Sequence, residues 1–170
     1  MQNNAASQRM LFDAYAGKMM SVCYRYAGNH HDAEDLLQES FVKIFAHIRQ
    51  FKWEGSFEGW MRRIVVNTAL KFLQKKKLHI TEVNEVTTGN LQVAPESISD
   101  LQAEQLMLLL NKLPEGYRVV FNLYVIEGYD HDEIAKMLNI QAGTSRSQLV
   151  KARKMLQGMI KKNETITIEP

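Results

Sequence analysis

Arg146, Ser147, Val150 and Lys151 carry, at helical spacing, most of what the major groove of a DNA duplex asks of a protein. A guanidinium or ammonium suits guanine edges and phosphates, a hydroxyl serves as donor or acceptor, and a branched apolar group meets a thymine methyl. They stand in a segment, 128–154, that reads as a helix, a short turn and a second, basic helix. Asp130 caps the first helix with Glu133 three residues on to close a capping box, and Ile134, Ala135 and Leu138 form its apolar stripe. Asn139 suits a left-handed helix end, and Gly143 and Thr144 open the second helix, whose inward positions Leu149, Ala152 and Leu156 turn the four groove-matching side chains outward.

Charge distribution points the same way. The net charge of +2 conceals two stretches without a carboxylate: 134–163 holds seven Lys or Arg, and 59–81 holds six, Arg62, Arg63, Lys71, Lys75, Lys76 and Lys77. Two cationic segments separated by a neutral-to-acidic connector suit a protein that touches a long polyanion at two places. A basic run alone is as readily a solvated helix face; the helix-turn-helix pattern decides the matter for the second stretch.

Bond-making chemistry finds no support. There is no Gly-rich phosphate loop, no cysteine pair for zinc and no His-Glu helix motif, so no catalytic residue, metal or cofactor is expected. His30 and His31, near Cys23 and His47, read as exposed polar residues at a helix start rather than metal ligands. The single cysteine, Cys23, lies among apolar neighbours and reads as a buried thiol. No apolar run approaches bilayer-spanning length and the first residues lack a secretory signal, so the expectation is a cytoplasmic protein without membrane insertion.

The elements that must position these residues are helices. Leu11, Phe12, Tyr15, Met19, Val22, Cys23 and Tyr26 describe a first amphipathic helix ending near Gly28. A second starts near Asp32 with Ala33, Leu36, Leu37, Ser40, Phe41, Ile44, Phe45 and Ile48 inward, leaving Asp35, Gln38, Glu39 and Val42 on another, acidic face. After a loop over 51–56, Ser56 caps a third helix on Phe57, Trp60, Met61, Ile64, Val65, Thr68 and Phe72, with Arg63, Asn67, Lys71 and Lys75 in a cationic strip outside; Phe57 and Trp60 are expected in the core. The helical period fades near Leu78. Beyond the connector, Ser99 is a candidate cap, Leu101, Leu106, Leu109, Leu110 and Leu113 a core stripe ended by Pro114, and Val119, Val120, Leu123 and Tyr124 a further helix stopping at Gly128. The expected fold is all-α: two small helical domains, 5–78 and 100–163, joined by a flexible linker at 79–99, with a loose, strand-like tail at 164–170.

These residues bring a family into view. The chain resembles bacterial RNA polymerase sigma factors of the extracytoplasmic-function (ECF) group over nearly its whole length. Residues 32–41 look like the second helix of sigma region 2, 60–69 like the helix after its promoter-reading loop, and 113–121 with 127–154 like region 4. The resemblance is to the two-domain group, so no region 1 or region 3 domain is expected.

The resemblance implies roles. Asp35, Gln38, Glu39 and Val42 would bind the clamp of the polymerase's largest subunit, and region 4 the flap of the second-largest. Phe51, Lys52, Trp53, Glu54 and Gly55, with Arg63, Asn67 and Lys71, would take an extruded base of the −10 element: Phe51 and Trp53 as an apolar wall, Asn67 at the base edge, the cations on phosphates. Arg146, Ser147, Val150 and Lys151 would read the −35 duplex, with Thr144, Arg153 and Lys154 nearer its phosphates. Promoter DNA, core RNA polymerase and an anti-sigma factor are the expected partners, with no small-molecule substrate. The chain departs from the family pattern at Gln141, where a small capping residue is frequent, and at Ser145, where an apolar residue is frequent; both are expected to weaken the helix start.

Two other functions remain open from sequence. A stand-alone helix-turn-helix regulator would bind operator DNA as a dimer, unaided by polymerase. A nucleic-acid enzyme with a helix-turn-helix appendage would need clustered carboxylates or metal ligands, which the basic stretch at 59–81 does not offer.

Overall fold

The computed structural model describes residues 5–82 and 101–166, all helix, turn or loop with no strand among them. The chain divides into two compact units, one within 1–97 and the other within 98–170. Ser99 and most of the expected connector lie outside the described residues, as does the end of the tail.

The first unit holds three helices: α1 (Ala5–Ala27), α2 (His30–His47) and α3 (Phe57–Glu82), with a 3₁₀ turn at Ile48–Gln50 after α2. Each packs on the other two. Met19, Val22, Cys23 and Tyr26 from α1, Leu36, Phe41 and Ile44 from α2, and Met61, Val65, Val66 and Ala69 from α3 form the buried core. Fully burying such a side chain stabilises by about 1.5–3 kcal/mol, which lets three helices hold a unit of this size together. Gly28, at φ +81°, ends α1.

Two helix limits differ from the sequence expectation. Helix α2 starts earlier than Asp32, because the Asn29 side chain caps it by accepting from the Asp32 N–H at 2.9 Å. Helix α3 continues past Leu78 to Glu82: nothing between Gly59 and Gly89 is Gly or Pro, and Lys and Leu are good helix formers.

The second unit holds α4 (Leu101–Asn111), α5 (Glu115–Phe121), a π-type turn at Asn122–Ile126, α6 (His131–Leu138) and α7 (Ala142–Ile166). Leu109, Leu110 and Leu113 pack on Ala152 and Leu156, while Val119, Val120, Leu123, Ile134 and Leu149 are also buried. Leu106, expected in this core, is 45% exposed, and the Leu101 side chain lies outside the described residues. Pro114 stands at the N-cap of α5 and cannot continue α4. Arg118 is buried and donates from Nη1 to the Asn111 carbonyl at 3.5 Å, tying α5 to the end of α4. Helix α7 includes Thr165 and Ile166, so the start of the tail is helical rather than loose.

Candidate nucleic-acid interface

In the first unit, the junction between the 3₁₀ turn and α3 makes a concave site. Ser56 starts α3 as expected, its Oγ accepting from the Gly59 N–H at 3.2 Å and its carbonyl from the Trp60 N–H at 3.0 Å. The loop before it reverses sharply, with Trp53 at φ +60° and Gly55 at φ +86°. Glycine takes that conformation freely, whereas Trp53 pays about 1 kcal/mol or more for it. Beneath the loop lies a cleft of about 490 Å³, lined by Gln50, Phe51, Lys52, Glu54, Gly55, Ser56, Gly59, Trp60 and Arg63.

Its aromatic wall is not the one expected. Trp53 is 85% exposed and does not line the cleft, although its ring meets Phe51 edge-on at 5.4 Å. Trp60 lines it instead. Phe57 and Trp60 are half-buried rather than core; they stack on each other at 5.6 Å, and Phe51 packs against both at 5.1 and 5.6 Å. Trp60 follows the Ser56 cap by four residues, which puts it on the first turn of α3 beside the loop; that spacing was the signal available in the sequence. Asn67 is exposed on α3, one turn beyond Arg63, and is not part of the lining. The polar groups that do face the cleft include Gln50, Glu54 and Ser56.

Arg63, Lys71 and Lys75 are exposed along α3 with Asn67, as the four-residue spacing predicts. Two other cations of this stretch are engaged elsewhere. Lys76 donates to Asp32 at 2.6 Å, fastening α3 to the start of α2, and Arg62 lies 3.9 Å from Glu58, which also accepts from Lys18 of α1 at 2.7 Å. Burial works to raise the Asp32 carboxyl, but hydrogen bonds from Lys76 and Asn29 and the Lys76 charge outweigh it and hold the group below the ordinary carboxylate range.

On α2, Asp35, Gln38, Glu39 and Val42 are all exposed, Val42 at 67%. Lys43 pairs with Glu39, and His31 lies 4.0 Å from Asp35. Cys23 is buried, and burial pushes its thiol up to about 12, so it stays protonated and unreactive.

In the second unit the capping pattern is as the sequence predicts. Asp130 accepts from the N–H groups of Asp132 and Glu133, both at 2.8 Å, and Glu133 returns the bond by accepting from the Asp130 N–H at 2.9 Å. Asn139 ends α6 in the left-handed region at φ 53°, ψ 50°. Three residues later α7 begins, and Thr144, Arg146, Ser147, Val150, Lys151, Arg153 and Lys154 are exposed along about half of its circumference, opposite the buried Ser145, Leu149, Ala152 and Leu156. Ser147 Oγ donates to the Thr144 carbonyl at 2.9 Å. The Arg153 guanidinium lies 6.0 Å from the Tyr124 ring centre, a cation–π contact. Ser145 does not behave as a weak point: fully buried, its Oγ shares a 2.9 Å hydrogen bond with His131 Nδ1.

Two family descriptions match the chain, Sigma-70 region 2 over residues 11–79 and Sigma-70 region 4 over residues 103–156, together well over half of its length. It is 32% identical to the ECF RNA polymerase sigma factor SigE of Mycolicibacterium smegmatis, over 91% of this chain and 62% of that protein. It is 29% identical to the ECF sigma factor SigW of Bacillus subtilis, over 89% of this chain and 87% of that protein. Among solved structures, the sigma factor RpoE of Bartonella quintana, crystallised with the anti-sigma factor NepR, shares the fold with a TM-score of 0.63 at 20% identity, covering 90% of this chain and 96% of that one. All these similarities are to sigma-70-type factors. The chain belongs to the ECF group of bacterial RNA polymerase sigma factors, the proteins of transcription initiation.

Proposed function

We propose that this protein joins core RNA polymerase in the cytoplasm and directs it to a promoter whose −35 element is read as duplex by α7 and whose −10 element is taken as melted strand at the cleft of the first unit. The observation that carries the reading is the contrast in shape between two cationic surfaces: a convex helix presenting Arg146, Ser147, Val150 and Lys151, and a concave site walled by Phe51 and Trp60. An intact duplex offers base edges to a helix, whereas an extruded base needs an enclosed aromatic wall. Unstacking that base costs a few kcal/mol, roughly what stacking on aromatic side chains returns at about 1–3 kcal/mol per base. Arg63, Lys71 and Lys75 lie along α3 to hold the strand's phosphates, and Glu54 and Gln50 offer polar groups to the base edge in place of Asn67. Lys52, Trp53 and Gly55 shape the loop.

The exposed face of Asp35, Gln38, Glu39 and Val42 is the surface for the clamp of the polymerase's largest subunit, and the second unit takes the flap of the second-largest. Thr144, Arg153 and Lys154 bind −35 phosphates. The protein makes and breaks no bonds itself; the polymerase does. An anti-sigma factor, like the one that accompanies the Bartonella relative, is the partner expected to hold it inactive. The module boundaries proposed for these tasks are 5–78 and 100–163.

Run-off transcription with purified core polymerase on genomic fragments tests this directly. Specific transcripts that depend on the added chain are expected. Operator binding by the chain alone, with no transcripts, would instead favour a stand-alone regulator.

A further inference from the structure

The join between α6 and α7 contains a contact that the repeating pattern of the motif does not explain. Ser145 is fully buried where helix packing would accept an apolar group, and its Oγ meets His131 Nδ1 at 2.9 Å. His131 is the first residue of α6, and its ring lies flat on Tyr124, centroids 4.4 Å apart and planes 19° apart. Tyr124 belongs to the π-type turn before the motif, a rare geometry that shifts the side chains following it around the helix. One imidazole therefore touches three elements: the π turn through its face, α6 through its backbone and the first turn of α7 through Nδ1. Arg146 and Ser147 follow Ser145 directly on α7.

We propose that His131 is a positioning residue for −35 recognition, its Nδ1 hydrogen bond to Ser145 fixing the start of the recognition helix so that Arg146 and Ser147 meet the base edges in register. A major-groove hydrogen bond tolerates little misplacement, so a latch one residue before the reading side chains acts on discrimination between sequences. A phosphate contact from Lys154, held by a long flexible side chain, depends on it less. The proposal rests on α7 reading the −35 duplex.

The test uses holoenzyme assembled from the full chain and core polymerase, on the promoter recovered by run-off transcription and on the same promoter with its −35 element scrambled. The readout is the ratio of transcription on the two. Ser145→Ala and His131→Phe, which remove the hydrogen bond from either side, are expected to lower the ratio about fivefold each, the size of one ordinary hydrogen bond, and together no more than either alone. His131→Asn, which keeps a polar atom near the Nδ1 position, is expected to retain most of the ratio. A merely structural role would lower transcription on both promoters and leave their ratio intact. If His131→Phe does not fold, Ser145→Ala, which subtracts a single atom, carries the test.

An unchanged ratio in Ser145→Ala while Arg146→Ala lowers it would overturn the latch but keep the duplex reading. A His131→Asn loss equal to that of His131→Phe would also overturn the hydrogen-bond role. A wild-type ratio of one would sink the duplex reading and the latch with it.

Discussion

Helix α7 presents its seven candidate DNA contacts from one convex surface whose approach is fixed by a capping box and a left-handed turn at Asn139, whereas the 51–56 loop closes a cleft whose backbone twice enters the left-handed region. The difference follows from the two forms of DNA each is proposed to meet. Duplex edges exist before the protein arrives, so rigidity alone brings side chains to them. A base that must leave the stack needs a concavity ready to receive it, and making one from a short loop requires the turn at Gly55 and the strained Trp53. An exposed Trp53 held in the left-handed region marks the surface proposed to take melted strand; a satisfied cap on α6 and an α7 packed along one face mark the surface proposed to read duplex.

The sharpest way to break this comparison is at the cleft wall. Trp60→Ala removes a stacking surface worth about 1–3 kcal/mol per base, along with its packing on Phe51 and Phe57. Open-complex formation on duplex promoter should fall by one to two orders of magnitude, and a template already mismatched over the −10 element should restore much of it. Trp53→Ala, at an exposed position outside the lining, should do markedly less; equal losses would mean the wall has been misplaced.

On the reading side, Arg146→Ala should cost ~1–3 kcal/mol and relax preference at one base pair, measured by competition between single-substitution promoters. Lys154→Ala should weaken all sequences alike and reduce the salt slope by about one. The same loss pattern from both would remove the distinction between base and phosphate contacts on α7.

Smaller again is the cap. Asp130→Ala leaves the N–H groups of Asp132 and Glu133 without their acceptor and should lower the thermal stability of the second unit by about 1 kcal/mol. Smallest is Asp32. Its carboxyl is depressed when folded, so its contribution is present above the unfolded value near ~3.9 and is lost as pH falls through the lower folded value. Unfolding of wild type and Asp32→Asn between neutral pH and about pH 3 should show the wild type losing more stability on acidification. The effect is modest because Lys76 remains 42% exposed.

How much of this could be read from residues alone divides along the same line. The helix-turn-helix was legible because its signals are local: Asp130 with Glu133, Asn139 at the turn, and the buried period through Leu149, Ala152 and Leu156. The three helices of the first unit were legible for the same reason. The cleft was legible only in part: the four-residue spacing from Ser56 places Trp60 on the first turn of α3 beside the loop, but nothing local says that Trp53 points to solvent. The start of α2 was placed near Asp32, three residues after the Asn29 that caps it, because Asp suits the first turn of a helix as Asn suits its cap. Ser145 looked like a defect until His131, fourteen residues earlier, was found across from it; a bond between two helices leaves no trace in the periodicity of either.

The claim that one surface takes melted strand and the other intact duplex is most directly tested by permanganate footprinting of the promoter with core polymerase, with and without this chain. The account predicts reactive thymines confined to the region from the −10 element downstream, appearing only when both proteins are present, while the −35 element stays unreactive and protected from nuclease. Protection by the chain alone with no strand opening upon adding polymerase would contradict it.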